Sequence, residues 1–286
     1  MKFRTELTCS QSAWQISHSD RLLFIGSCFS DEMGRRLAER GFDISVNPFG
    51  PLYNPLSIAN CIHRSLSRQY YTLSDLTPGP RGYHCLDYAM RFSGEDADSV
   101  LDAVNSRLDD MRARIEAGAI VFITLGTVFV YFLAETGRPV GNCHKFPPST
   151  FIRRRISIEE AREALHSVTT ALYAAGASQV VFTVSPIRHL SDGFHENTLS
   201  KASLHMAVDM LGESVGYFPS YEIVMDDLRD YRAYADDMVH IAPKAVDYIY
   251  EKFEEVFFST ATRQEAAAAR KRFLSSQHRQ ILNTNE

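Results

Sequence analysis

An α/β fold, with a mostly parallel sheet wrapped by helices on both faces, follows from three features of this 286-residue chain. Short apolar runs recur at Arg21–Ile25, Ala119–Leu125 and Gln179–Val184, each the length of a buried strand and each ended by glycine or serine. Longer amphipathic segments with helical spacing alternate with them. At the end of the first run, LLFIGSCFSDE breaks at Gly26 into small reactive side chains and then into a helix start. Ser30 reads as that helix's N-cap, with Asp31 and Glu32 in the first turn and Gly41 as the stop.

The remaining elements follow in order. Phe42–Val46 is a short second strand, and the prolines and glycine of NPFGPLYNP then forbid regular structure. Leu56–Leu66 is helical; Gln69–Ser93 is aromatic and irregular and suits either a lid or a surface excursion packed by its own tyrosines. Asp98–Glu116 carries Val100, Val104, Leu108, Met111 and Ile115 at helical spacing. Further helices are expected over Ser157–Ala175, Leu199–Leu211 and Ala242–Phe258, with a short strand at Gly216–Phe218. One domain over 1–258 is expected, followed by a helical to disordered tail over 259–286.

Composition excludes several function classes. A net charge of −5 gives no electrostatic footprint for nucleic acid, and Arg270–Arg272 reads as a solvated helix face. No apolar run reaches the length of a membrane span, so no membrane partner is expected. The N-terminal MKFRTELTCSQSAWQIS lacks the apolar core of a signal peptide. The five cysteines are widely spaced without a CxxC pair, so reduced thiols in a cytoplasm are expected. Oligomeric state is not encoded in any feature of this kind.

In open α/β sheets ligands bind and nucleophiles stand just past strand carboxyl ends. Those places hold Gly26-Ser27-Cys28, Asn47-Pro48-Phe49-Gly50, Gly126-Thr127 and Ser185-Pro186-Ile187-Arg188-His189. A thiol at Cys28 would gain thiolate character from the positive end of the helix. Near the C-terminus, DDMVH puts Asp237 three residues before His240. A carboxylate so placed can fix the imidazole tautomer while the other ring nitrogen takes a proton from a nucleophile.

LLFIGSCFSDEM resembles the first block of the SGNH (GDSL-type) hydrolases, and Asp237-Met238-Val239-His240 resembles their last block. More closely, the chain resembles the bacterial GSCFA-domain family over roughly residues 20–255. The matching segments are GSCFSDEMGRRL, VNPFGPLYNPLSIA, TLGTVFVY, NCHKFP, TVSPIRHLSDG with ENTLSKA, and YFPSYEIVMDDLRDYRAYADDMVH. The resemblance implies a three-layer, flavodoxin-like α/β/α sheet and a cofactor-free acyl-ester hydrolase or acyltransferase. Its substrate would be an acylated small molecule or carbohydrate. Cys28 would be the nucleophile by alignment, with Ser27 the alternative, His240 the base and Asp237 its orienter. Backbone N–H groups near Cys28 and Gly50 would receive the oxyanion. Two other readings stand beside this one: an inactive binding module, and a thioesterase or amide-forming thiol enzyme.

The chain departs from the hydrolase pattern in its third block, where Gly126-Thr127-Val128-Phe129 lacks the usual asparagine. Asn142, Asn47 and Asn54 are the candidates to replace it, and losing one such donor costs about 100- to 1000-fold in rate. Among other polar residues, Lys145, Arg188 and Lys201 suit a carboxylate or phosphate on a substrate. Equally, Arg188 and His189 suit pairing with Asp192 or Glu196 across a loop. Cys143, His144, His189 and His195 fit no compact zinc pattern, so no metal is expected.

Overall fold

The computed structural model describes residues 4–80 and 82–283. Its centre is a five-stranded, wholly parallel sheet made of β1 (Arg21–Gly26), β2 (Asp43–Val46), β6 (Ile120–Leu125), β10 (Gln179–Val184) and β11 (Gly216–Tyr217). The order across the sheet is β2-β1-β6-β10-β11. In chain order that is 2-1-3-4-5, the flavodoxin-like winding, which reverses direction between β1 and β6. The crevice expected to take a ligand therefore opens at the carboxyl ends of these two strands.

Alternation along β1 feeds two cores. Leu23 and Ile25 join the larger one with α2 (Pro55–Leu66), α3 (Ala97–Glu116), α4 (Ile158–Ala174) and α5 (Phe194–Asp209). Leu22 and Phe24 join the smaller one with α1 (Phe29–Ala38) and α7 (Pro243–Phe257). This is a three-layer α/β/α arrangement, as the strand rhythm implies. The segment beyond residue 258 forms α8 (Thr260–Asn283), whose Ala266 is buried in the smaller core and whose Thr262 hydroxyl donates to Ile16 O at 3.1 Å. Its first half is thus part of the fold. Among the described residues no helix is long and apolar enough to cross a membrane, and all five cysteines are free.

Two small antiparallel sheets decorate the frame, and periodicity in the sequence did not reveal them. One is β3 (Thr77–Gly79), β4 (Gly82–His84) and β5 (Ser93–Gly94) inside the Gln69–Ser93 segment. That segment sinks Tyr71, Cys85, Leu86, Tyr88 and Phe92 into the interior, and Tyr88 stacks on Phe49 with centroids 4.1 Å apart. It is fixed core rather than a lid. The other is β7 (Phe129–Leu133), β8 (Pro139–Val140) and β9 (Phe151–Arg155). The arginines of β9 are not a free charge run: Arg153 pairs with Asp192, Arg154 with Glu160 and Arg155 with Glu196.

The turn leaving β1 demands glycine. Gly26 has φ +141°, and a Cβ there would stand 2.0 Å from Thr124 O. Ser27 N–H donates to that same oxygen at 3.0 Å, which leaves no room for the chain to move away. Gly26→Ala is expected to cost more than about 3 kcal/mol. Gly118→Ala has φ +84° and nothing within 4 Å, so only left-handed strain of about 1–2 kcal/mol applies. Urea denaturation of the two variants checks the contrast; equal losses would remove the close-approach argument.

Candidate active site

Cys28, not Ser30, occupies the N-cap position of α1, with φ −59° and no side-chain cap. Ser30 lies in the first turn, where its hydroxyl donates to Thr124 Oγ1 at 2.8 Å in the interior. A serine followed by two acidic residues looks like a cap, but the Gly26 turn starts the helix earlier. Ser27 is fully buried; its Oγ accepts from Phe29 N–H at 3.3 Å and its carbonyl accepts from Ser30 N–H at 2.8 Å. Of the two adjacent nucleophile candidates, only Cys28 is partly exposed.

The helix end does not give Cys28 a thiolate. Burial pushes the thiol up, and the nearby Asp31 carboxylate pushes it further, with Glu32 adding to this; the residue's own N–H and Lys201 pull it down more weakly. The acidic first turn that favours the helix thus opposes ionisation of its N-cap residue. Lys201 is 2% exposed, and its ammonium donates to Gly126 O and Ser185 O, both at 2.7 Å. It bridges the carboxyl ends of β6 and β10, and burial draws it down to about 7.

His189 lies against this ammonium. A Cβ on Gly126 would stand 3.2 Å from His189 Nε2, a buried nitrogen with no hydrogen-bond partner. Burial, then Lys201, lowers the ring to about 4, so it is neutral at ordinary pH. Tyr53 packs edge-on to it with centroids 5.6 Å apart. Burial first, then Cys28 and Asp31, raises the Tyr53 phenol to about 12. The sequence reading passed over Tyr53, and the only trace is its position in NPFGPLYNP past the end of β2.

Asp237 and His240 share one tight loop with Met238 at φ +58°. Asp237 Oδ1 accepts from the N–H groups of Val239 and His240 at 2.9 Å each, and Oδ2 accepts from His240 Nδ1 at 2.6 Å. That imidazole bond, then the two backbone bonds, hold the carboxyl down to about 2. With Nδ1 donating to a carboxylate, Nε2 carries the lone pair. Arg188 N–H donates to Val239 O at 3.2 Å and ties this loop to the end of β10. Both side chains of the pair are about half exposed. Among the described residues no hydrogen bond joins Cys28 to His240.

The expected oxyanion donors divide. Gly50 N–H is bonded to Asn47 O at 2.8 Å and Gly126 N–H to Tyr53 O at 2.7 Å, so neither points freely at a ligand. Asn47 is a brace: its Oδ1 accepts from Gly26 N–H at 2.9 Å and its Nδ2 donates to Asp31 at 2.9 Å. Asn54 caps α2, accepting from Ser57 N–H at 2.9 Å. Asn142 accepts from His144 N–H at 3.0 Å, and among the described residues its Nδ2 makes no hydrogen bond. The residues weighed for zinc are not gathered. Among the described residues no group of three or more His, Cys, Asp or Glu side chains is arranged for a metal, and His144 Nδ1 instead meets His84 Nδ1 at 3.1 Å.

The opposed charges around Cys28 make a signed prediction. Asp31→Asn removes a repelling carboxylate and is expected to move the pH profile of iodoacetamide alkylation to lower pH. Lys201, drawn down to about 7, is mostly uncharged where the thiol ionises, so Lys201→Met is expected to move the profile less than Asp31→Asn does. An Asp31→Asn profile that coincides with wild type would contradict these electrostatics.

None of the curated proteins compared with the chain matches it. The GSCFA family model matches residues 21–253, from the first strand to the last turns of α7. The match spans the elbow at Cys28, Lys201 and the Asp237–His240 loop together, and the chain is a member of the GSCFA family.

Proposed function

We propose that this protein is an acyl-transferring hydrolase in which Cys28 attacks the carbonyl carbon of an ester. The reading is carried by one observation: Asp237 holds His240 by Nδ1 at 2.6 Å, leaving Nε2 free as a base. The resemblance to SGNH hydrolases supports the same assignment. His240, directly or through one water, takes the proton from Sγ as the S–C bond forms. The oxyanion receives hydrogen bonds from Cys28 N–H and from Asn142 Nδ2, the one uncommitted amide among the three asparagines considered. The C–O bond then breaks, and His240 returns the proton to the departing alkoxide. Water, deprotonated by His240, cleaves the resulting thioester and regenerates the thiol. The substrate class is an acylated small molecule or carbohydrate, and the five free thiols support a cytoplasmic setting.

A non-catalytic binding module is the second reading. It is favoured by the committed N–H groups of Gly50 and Gly126 and by the unbonded Cys28–His240 pair. The two separate on hydrolysis of short-chain p-nitrophenyl esters. Cys28→Ala and His240→Ala are expected to be inactive. Asp237→Asn is expected to lose about 10³- to 10⁴-fold in kcat, through the wrong tautomer. Wild-type turnover no faster than His240→Ala at any chain length would leave the binding module in its place.

A further inference from the structure

Arg188 follows β10 in the turn that meets the His240 loop, and its partners differ from those the sequence offers. Asp192 is taken by Arg153 in a two-pronged pair, one contact at 2.7 Å, and Glu196 is taken by Arg155 at 3.0 Å. Asp230 is held by both Nε and Nη2 of Arg232 at 2.9 Å each, and Asp226 faces Arg229 at 3.7 Å. Asp237 is committed to His240. Among the described residues no carboxylate lies within ion-pair distance of Arg188, and the one hydrogen bond of its guanidinium runs from Nη1 to Met238 O at 3.2 Å.

Three rings surround the guanidinium, with centroids at 4.8 Å for Tyr234, 5.5 Å for Phe194 and 5.9 Å for Tyr231. Stacking uses the face of a guanidinium, whereas its five N–H donors lie in the plane. The rings hold the group in position, and among the described residues only the donor bonded to Met238 O is committed, which leaves the others to a ligand. Tyr231 is 68% and Phe194 66% exposed, a large apolar area beside the guanidinium. With Val224, Met225, Arg229 and Asp230, whose carboxylate Arg232 holds, the arginine and the two tyrosines line a cleft of about 180 Å³. Its position is fixed relative to the base, because Arg188 bonds the carbonyls of both Met238 and Val239, the residues just before His240.

We propose that Arg188 is the anchor of an oxyanion-binding subsite next to the His240 loop. It takes a carboxylate or phosphate through its in-plane N–H groups, while Tyr234, Tyr231 and Phe194 cover a flat apolar part beside that charge. Resting on the acyl-transfer reading, this makes the preferred ester one whose acyl or alcohol portion carries an anion. Arginine suits the task because its fork matches two oxygens at once.

The test is direct binding, measured by calorimetry on the full-length protein and independent of turnover. Benzoate and phenyl phosphate offer an anion on a flat ring, and benzamide is the neutral counterpart. Saturable binding of at least one anion, about tenfold or more tighter than benzamide, is expected. Which anion binds more tightly identifies the charged group. Arg188→Gln is expected to lose about tenfold or more, whereas Arg107→Gln, an exposed arginine of α3 paired with Asp110, is expected to stay within about twofold. Equal binding of benzamide and the anions, no saturable binding of either anion, or an unchanged Arg188→Gln would overturn the subsite. Ester turnover without anion binding would sink this proposal alone. Anion binding without turnover would sink the hydrolase reading and leave the subsite standing.

Discussion

The close approach of β1 to β6 at Gly26 is the constraint on which the rest of the site depends. Thr124 O fills the space a side chain would need and accepts from Ser27 N–H at 3.0 Å. The strand must therefore turn there, Ser27 must bury its hydroxyl, and Cys28 must emerge as the N-cap of α1. Asn47 braces the same corner from β2's end by bonding Gly26 N–H and Asp31 together. Because β1 and β6 flank the point where the sheet reverses its winding, the corner opens into the one crevice the topology creates.

Electrostatics at that crevice are balanced rather than one-sided. The thiol is held protonated by burial and by Asp31, against the pull of a buried ammonium at Lys201. That ammonium is held by two strand-end carbonyls, and burial, then Lys201, keeps His189 neutral. A thiol of this kind is not a free thiolate and needs a base. In the proposed reaction that base is His240, about half exposed and held at Nδ1 by Asp237. His189, of lowered basicity and enclosed, is the poorer proton acceptor.

Much of this was legible in the sequence. Buried parallel strands are continuous apolar runs, so Gln179–Val184 could be read to the residue and β1 and β6 to within one residue at an end. The elbow and the Asp237–His240 loop were visible because glycine and short-range spacing encode them locally. What escaped was set by distant partners. The sheet of β7, β8 and β9 carries polar and aromatic residues on a half-exposed surface, where alternation is weak. Lys201 sits in a helix like any surface lysine, and only the fold brings Gly126 and Ser185 to it. Helix-end reasoning misjudged the Cys28 thiol because it weighed the dipole without the desolvation. The ion pairs of Asp192 and Glu196 with β9 arginines decide that Arg188 is left over, and no local pattern could assign them.

The central claim is that an acyl group passes through the Cys28 sulfur. It is tested most directly by rapid acid quenching of the protein mixed with p-nitrophenyl acetate, followed by mass spectrometry of the intact chain and its peptides. A single acetyl group on the peptide containing Cys28, absent from Cys28→Ala and accumulating in His240→Ala no faster than in buffer, is the expected result. Acetylation elsewhere in the chain, or an unmodified Cys28 while p-nitrophenol is released, would contradict it.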